Sequence, residues 1–273
     1  MEIMSDNIET RNLPEKSTCV VSLSGGMDST SLLMHLLARE CTVFGISFDY
    51  GQKHVLELER LKNNLEYLRA QGYPVSHETV DISSIGKLFY SALINDDWAV
   101  PEGFYEQDNM KETVVPNRNA IFSSIAYGYA LSIATKNKCK TYLSLGVHSG
   151  DHAIYPDCRP EFYRAVHNAF AIGNWDSELV EIYLPYLDGD KATILQDADS
   201  AIQKLGLDFD TVFRNTNTSY EPDEQGRAHG KTGSDVERIL AFHQIGRVDP
   251  VEYVEGWDAA LAAALEFEKN AQS

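Results

Sequence analysis

Several features are scarce or absent in this chain of 273 residues. Its four cysteines are scattered and form no CxxC pair, which disfavours a disulfide framework and suits a reduced protein. It has 23 basic against 41 acidic residues, and a net charge of −18 repels nucleic acids and anionic membranes. No apolar run approaches membrane-spanning length, and no stretch resembles a signal peptide. We therefore expect a cytoplasmic protein with no nucleic-acid or membrane partner.

The order of the apolar segments predicts a doubly wound parallel α/β sheet. Predicted strands cover residues 18–23, 42–48, 75–81 and 141–148, and predicted helices begin near residue 28, carry the leucines of 56–68 and span 119–135. In such sheets, ligands bind outside the carboxyl ends of the strands. The three stretches richest in functional residue types, 24–30, 48–54 and 146–159, all follow predicted strand ends, and this places a candidate site there.

Three regions are predicted along the chain. Residues 1–17 read as a polar tail, residues 18–200 as the α/β core, and residues 201–273 as a helical C-terminal region. Residues 83–116 and 214–234 are predicted to be long loops, because glycine, proline, asparagine, threonine or charge replaces the apolar periodicity there.

The string SGGMDST, Ser24 to Thr30, joins the first predicted strand to the first predicted helix. Glycines at 25 and 26 let main-chain N–H groups share one concavity, and the start of the helix adds a positive dipole end, so phosphate could bind there. The string is not a Walker A loop, because it lacks GxxxxGK[ST]. Asp28 is an unusual neighbour for phosphate unless it caps the helix or helps to hold a divalent cation. The plainer interpretation of the whole string is a tight glycine turn with Asp28 as the helix cap.

The string resembles the phosphate loop of the ATP-pyrophosphatase superfamily, also called adenine nucleotide alpha hydrolase-like, which has a Rossmann-like fold. Four further strings narrow the resemblance to the 7-cyano-7-deazaguanine synthase family: FDYGQKH from Phe48, VPNRN from Val115, GVHSGDHAIYPDCRPEF from Gly146 and ERILAFHQIGRVDPVEY from Glu237. Together the strings run from residue 20 to residue 253, in order and at family-like spacing.

The resemblance implies an ATP-dependent ligase of queuosine biosynthesis. The carboxylate of 7-carboxy-7-deazaguanine would attack the α-phosphate of ATP, with Mg²⁺ present, and release pyrophosphate. Ammonia would displace AMP to give the amide, and a second ATP would convert the amide to the nitrile. The resemblance also suggests a homodimer.

The same resemblance implies roles for particular residues. Asp28, Lys191 and Arg118 are the candidate catalytic residues. Nucleotide binding is assigned to Ser24, Gly25, Gly26, Asp28, Ser29, Thr30, Phe48, Tyr50, Gly51 and Gln52, with His54 nearby. Substrate binding is assigned to Arg118, Tyr155, Asp157, Arg159 and Glu161, because a purine-like ring needs acceptors and a carboxylate needs a guanidinium.

Two of these cations also have plainer interpretations. Lys191 could be an exposed helix lysine, and Arg118 a solvated arginine in the first turn, although a helix start disfavours a cation. His148, Asp151 and His152 are metal-like in type, and without a fourth clustered ligand we assign them to hydrogen bonding. Cys158 is interpreted as a packed thiol.

The chain departs from the family at a structural zinc site. Where the resemblance expects four cysteines, the chain has Ser219, His229, Thr232 and Asp235. Hydroxyls are poor zinc ligands, so no structural zinc is expected. Such a site can contribute about 10–16 kcal/mol to a small zinc-dependent segment. Residues 214–235 must therefore be held by packing, hydrogen bonds or a partner surface, or remain mobile.

Four functional hypotheses stay open at this point. One is the ordinary synthase with ammonia as the amine. A second is a diverged ligase of a bacterial defence system that transfers the activated deazaguanine to a partner protein amine, such as an N-terminus. A third is a non-catalytic nucleotide-binding module. A fourth, tRNA thiolation, is disfavoured by the acidic charge and the lack of a reactive-cysteine arrangement.

Overall fold

The structure is a computed structural model that describes residues 8–9, 12–52, 56–95, 97–98, 100–102, 108–148, 150 and 155–271. Its strands are β1 (Ile8–Glu9), β2 (Thr18–Ser22), β3 (Thr42–Asp49), β4 (Ser76–Asp81), β5 (Thr141–Ser144) and β6 (Val180–Tyr183). Its α-helices are α1 (Met27–Ala38), α2 (Leu56–Ala70), α3 (Ser83–Gly86), α4 (Arg118–Asn137), α5 (Pro160–Gly173), α6 (Lys191–Leu205), α7 (Phe209–Arg214), α8 (Gly233–Gln244) and α9 (Trp257–Ala271).

Across the described ranges the strands form one wholly parallel sheet in the order β1-β6-β5-β2-β3-β4. From β2 the chain steps outward through β3 and β4, and later returns to the other side of β2 through β5 and β6. The strand order thus reverses between β2 and β5, which is where ligands bind in sheets of this kind. The predicted doubly wound α/β fold is confirmed.

Both faces of the sheet are covered, which explains why the middle of its central strand β2, residues 19–21, is apolar and buried. Val20 and Val21 point to opposite faces because side chains alternate along a strand, and both are fully buried. Val21 packs with the cluster that includes α1, α2 and α6, whereas Val20 packs with α4. These two layers fix the starts of α1, α4 and α6, and those starts supply the site.

Four of the elements given above were not predicted from the sequence, and one of them, α3, lies in the predicted loop 83–116. Strand β6 has only four residues, and one of them is the charged Glu181, so its alternation of apolar and polar residues is too short to predict a strand. Ile182 of this strand is nevertheless fully buried. Helix α5 precedes β6 in the chain, across the short connection 174–179. Strand β1 lies inside the region predicted as a polar tail and pairs through Ile8 with Ile182. The predicted strand 141–148 ends at Ser144, because the chain then turns along the site.

The C-terminal region is helical, as expected, and has an apolar cluster of its own. Val236 and Ile239 of α8 are fully buried against Ala260 and Ala264 of α9. Within the described ranges, no helix combines the length and the apolar character that crossing a membrane requires.

Candidate active site

A crevice with a cavity volume of about 220 Å³ opens at the carboxyl ends of β2, β3 and β5. Many parts of the chain meet there, among them the 24–29 loop, the turn after β3, the start of α4, the segment 145–147, the start of α6 and the 217–220 segment. The crevice therefore lies at the carboxyl ends of the strands, where the sequence predicts a ligand site, and also where the strand order reverses.

The loop after β2 is a compact, hydrogen-bonded turn. The Ser24 main-chain N–H donates to the Ser29 hydroxyl at 3.3 Å, and the two hydroxyls lie 3.1 Å apart. Gly25 has a φ of +90°, and a Cβ there would collide with the carbonyl oxygen of Glu57, so glycine is required. Gly26 caps α1 without a side chain, and this leaves first-turn amides available to an anion.

A cluster of charged side chains closes one end of the crevice. Lys191 Nζ lies 3.0 Å from Asp28 Oδ2 and 3.4 Å from Glu237 Oε2. His148 Nε2 lies 3.8 Å from the same Asp28 oxygen, while its Nδ1 accepts the Gly150 N–H. Burial would raise the pKa of Asp28, but the Lys191 ammonium, and after it His148, hold that pKa below its usual value.

Both candidate cations begin a helix and are not free surface residues. Arg118 is the first residue of α4 and Lys191 the first of α6, where the positive dipole end disfavours a cation. Lys191 is only 8% exposed, so it is not the exposed helix lysine that was the plainer interpretation. Asp28 does not cap α1, since the cap is Gly26. Both cations line the crevice, where a bound anionic ligand would compensate for the unfavourable interaction of each cation with the helix dipole.

An aromatic wall faces these cations. Phe48 and Phe122 stack with ring centroids 4.3 Å apart, and Tyr50 packs beside Phe122 at 5.4 Å. Gln52 holds the turn that presents them, because its Oε1 accepts the Tyr50 N–H and its Nε2 donates to the Phe48 carbonyl. A flat heterocycle could lie against this wall.

The predicted substrate-binding segment lies behind Arg118. The Arg118 guanidinium sits 5.8 Å from the centre of the buried Tyr155 ring. Asp157 Oδ2 accepts the Asn119 N–H at 3.2 Å, which fixes the start of α4. Arg159 caps α5, and Glu161 is exposed. Tyr155 thus packs against Arg118, whereas Asp157 is hydrogen-bonded to the neighbouring Asn119.

The predicted site residues divide into two groups. Those that line the crevice are Ser24, Gly26, Asp28, Ser29, Phe48, Tyr50, Gln52, Arg118 and Lys191. Those outside its lining are Gly25, Thr30, Gly51, Tyr155, Asp157, Arg159 and Glu161. His54, Asp151 and His152 lie outside the described residues. Cys158 is buried, as interpreted, and its sulfur accepts from Asn119.

Other residues of the crevice were not singled out from the sequence. They are Glu57, Asn119, Phe122, Gly146, Asn217, Thr218, Tyr220 and Ser234 in the lining, and Glu237 beside Lys191. Gly146 is needed for close approach, since a Cβ there would lie 3.0 Å from the Asp28 carbonyl carbon. The sequence provided little indication of these residues, because most of them reach the crevice only through contacts between segments that are distant in the chain.

Three of the four positions where cysteines were expected form a hydrogen-bonded cluster. Thr232 caps α8 by accepting from the Asp235 N–H, and Asp235 accepts from the Thr232 N–H in return. Ser219 donates to the same carboxylate at 3.3 Å, while His229 is exposed. Among the described residues, no group of three or more histidine, cysteine or acidic side chains could hold a metal ion.

The sequence of this chain is similar to those of known synthases. The chain is 44% identical to 7-cyano-7-deazaguanine synthase 1 of Colwellia psychrerythraea, over 86% of this chain and 97% of that one. It is 45% identical to synthase 2 of the same organism, over the same shares. It is 43% identical to the synthase of Caldicellulosiruptor saccharolyticus, over 86% of this chain and 94% of that one. Residues 18–246 match the model of the queuosine biosynthesis protein QueC family, and the chain therefore belongs to that family.

Proposed function

We propose that this protein uses ATP to adenylate the carboxylate of 7-carboxy-7-deazaguanine, releases pyrophosphate, and passes the acyl group to an amine. The observation that carries the proposal is the meeting of an anion-binding loop with Lys191 and Arg118 in one crevice of a QueC-family chain. With ammonia as the amine, the amide forms first, and a second adenylation leads to the nitrile.

The phosphates would occupy the loop end of the crevice. The hydroxyl of Ser24, that of Ser29 and the first-turn amides of α1 are donors suited to phosphate oxygens. Lys191 would offset charge that develops on the departing pyrophosphate, where a compact cation in a buried site is most effective. The loop requires no rearrangement of its own, because its hydrogen bonds already fix its shape.

One atom of the loop end suits the magnesium ion that accompanies ATP. Asp28 Oδ2 is engaged by Lys191, but its Oδ1 is buried and has no hydrogen-bond partner in the described part of the chain. A carboxylate oxygen is a ligand that Mg²⁺ prefers, so the donor set fits. When bound, the ion would neutralise phosphate charge.

The carboxylate of the substrate would pair with Arg118 at the opposite wall. A guanidinium fork suits a carboxylate, and the aromatic wall of Phe48, Tyr50 and Phe122 supplies flat surfaces for a base. Holding the carboxylate against the α-phosphate accounts for rate enhancement through proximity.

The amine can be ammonia or a protein amine, and product analysis distinguishes them. Purified protein is incubated with ATP, Mg²⁺, ammonium and 7-carboxy-7-deazaguanine, and products are identified by mass spectrometry. The proposal predicts AMP with amide or nitrile. Activated product that transfers only when a partner protein is added would favour the protein amine. Intact ATP under every condition would contradict the proposal and favour a binding module.

A further inference from the structure

Glu57 occupies a defined place beside the phosphate loop. It lies in the first turn of α2 and is one of the residues that line the crevice. The main-chain carbonyl oxygen of Glu57 packs so closely on Gly25 that no side chain could be placed at position 25. The start of α2 is therefore held against the loop, and this places Glu57 at the edge of the crevice.

Two titratable groups face this carboxyl group. Arg118 of α4 and Tyr50 of the turn after β3 interact with it electrostatically, and Tyr50 is also hydrogen-bonded to Arg118. Burial raises the pKa of Glu57 to about 8, with Arg118 opposing the shift. A carboxyl group in this condition exchanges its proton near neutral pH, which suits acid–base work.

The other carboxylate of the crevice lining is committed elsewhere. Asp28 is paired with Lys191, and its pKa is lowered, so it is a weak proton acceptor. Glu57 instead lies on the Arg118 side, where the proposed function places the substrate carboxylate. It is thus close to the carbon atom that an amine must attack.

We propose, on the basis of the proposed function, that Glu57 is the base that accepts a proton from the attacking amine. Ammonia adds to the acyl carbon of the adenylate, and the C–N bond forms. The Glu57 carboxylate takes one proton from the positively charged nitrogen of this adduct. The C–O bond to AMP then breaks, AMP leaves with the electron pair, and the neutral amide remains. Glu57 returns its proton to solvent before the next turnover.

The test compares Glu57→Gln with the matched variant Glu59→Gln, which changes an exposed residue of the same helix. Pyrophosphate release and amide formation are measured separately for each protein and for the wild type. Loss of a general base should slow amide formation about 100-fold or more relative to pyrophosphate release. E59Q should match the wild type in both. Thermal melting checks that the variants fold, and Glu57→Asp, which keeps a carboxylate, should recover part of the rate.

Two further readouts separate catalysis from a binding role. The base must be deprotonated, so the ratio of wild-type to E57Q amide formation should rise with pH through about 8 and then level off. Hydroxylamine is a weaker base than ammonia, so its adduct gives up a proton to water more readily. With hydroxylamine as the nucleophile, the rates of product formation by the wild type and by E57Q should therefore differ less than they do with ammonia.

The contradicting outcomes are distinct. Equal amide formation by E57Q and wild type would overturn the role of Glu57 alone. A raised KM for the deazaguanine, with no change in the pH profile or the nucleophile dependence, would also overturn it, because it would indicate base binding. Absence of pyrophosphate release from the wild type would contradict the proposed function itself.

Discussion

The loop 24–30 and the 214–235 segment match the family resemblance to different degrees, and the two are in contact. The loop keeps every residue of its string, whereas the segment lacks all four cysteines that the family resemblance predicts. The Asn217 N–H nevertheless donates to the Gly25 carbonyl at 3.0 Å, and Thr218 lines the crevice. In this chain, a segment without the expected cysteines is thus held against the loop by other contacts.

Arg238 is the centre of this alternative support. Its guanidinium is fully buried, and it pairs with Asp249 through Nε at 2.6 Å and Nη2 at 2.9 Å. Its remaining N–H groups reach Thr216, Thr218 and the Phe213 carbonyl. Since all its donors have partners, the segment is tied to α8 by one side chain.

The largest effect of a substitution is expected beside the loop, at Lys191. Lys191→Met should lower the rate of pyrophosphate release about 10²–10³-fold, because the cation that offsets developing charge is lost. Initial rates with saturating ATP measure this. Lys204→Met, on the exposed side of the same helix, is the control and should leave the rate unchanged. A K191M variant within tenfold of the wild type would contradict the assignment.

On the segment side, Arg238→Met should lower the free energy of unfolding by about 3–5 kcal/mol, because Asp249 is left buried without its partner. Denaturant unfolding followed by circular dichroism measures it. Lys16→Met removes one partner of an exposed ion pair and should cost less than about 1 kcal/mol. Equal costs for the two variants would show that Arg238 does not hold the segment.

A smaller effect is expected at the cap that occupies the zinc positions. Thr232→Ala removes the acceptor of the Asp235 N–H and should cost about 1 kcal/mol in the free energy of unfolding. Thr232→Ser keeps the hydroxyl and should cost less. A T232A variant as stable as the wild type would mean that the capping box does not replace the missing ligands.

The smallest effect is expected from metal removal. Because hydrogen bonds join Ser219, Thr232 and Asp235, incubation with a strong zinc chelator should leave the melting temperature unchanged. Elemental analysis should find substoichiometric zinc in the purified protein. A full equivalent of zinc, with a lower melting temperature after chelation, would contradict this view of the segment.

Local patterns in the sequence were sufficient for the core of the fold. Strand β2 is a charge-free β-branched run that ends at two glycines, so its place and its loop could be predicted. Helix α6 has an Asp190 cap, but the burial of Lys191 at its first position could not be inferred locally. The advance signal for Lys191 was the family resemblance, which could not say whether the side chain is buried.

Features that depend on distant segments could not be predicted. Glu237 reaches Lys191 across 46 positions of the chain because α8 packs on α6, and its own neighbourhood reads as an ordinary helix. Strand β6 is short and charged, and it is a strand because β5 and β1 bind its two edges. Tertiary pairing outweighs local propensity in such cases.

The central claim is that the loop after β2 binds the diphosphate that leaves as pyrophosphate. Its most direct test is turnover of ATP labelled at the γ-phosphate in the presence of the deazaguanine carboxylate. We predict that the label appears in pyrophosphate, with one AMP formed for each. Label recovered in orthophosphate, with ADP as the nucleotide product, would contradict the account.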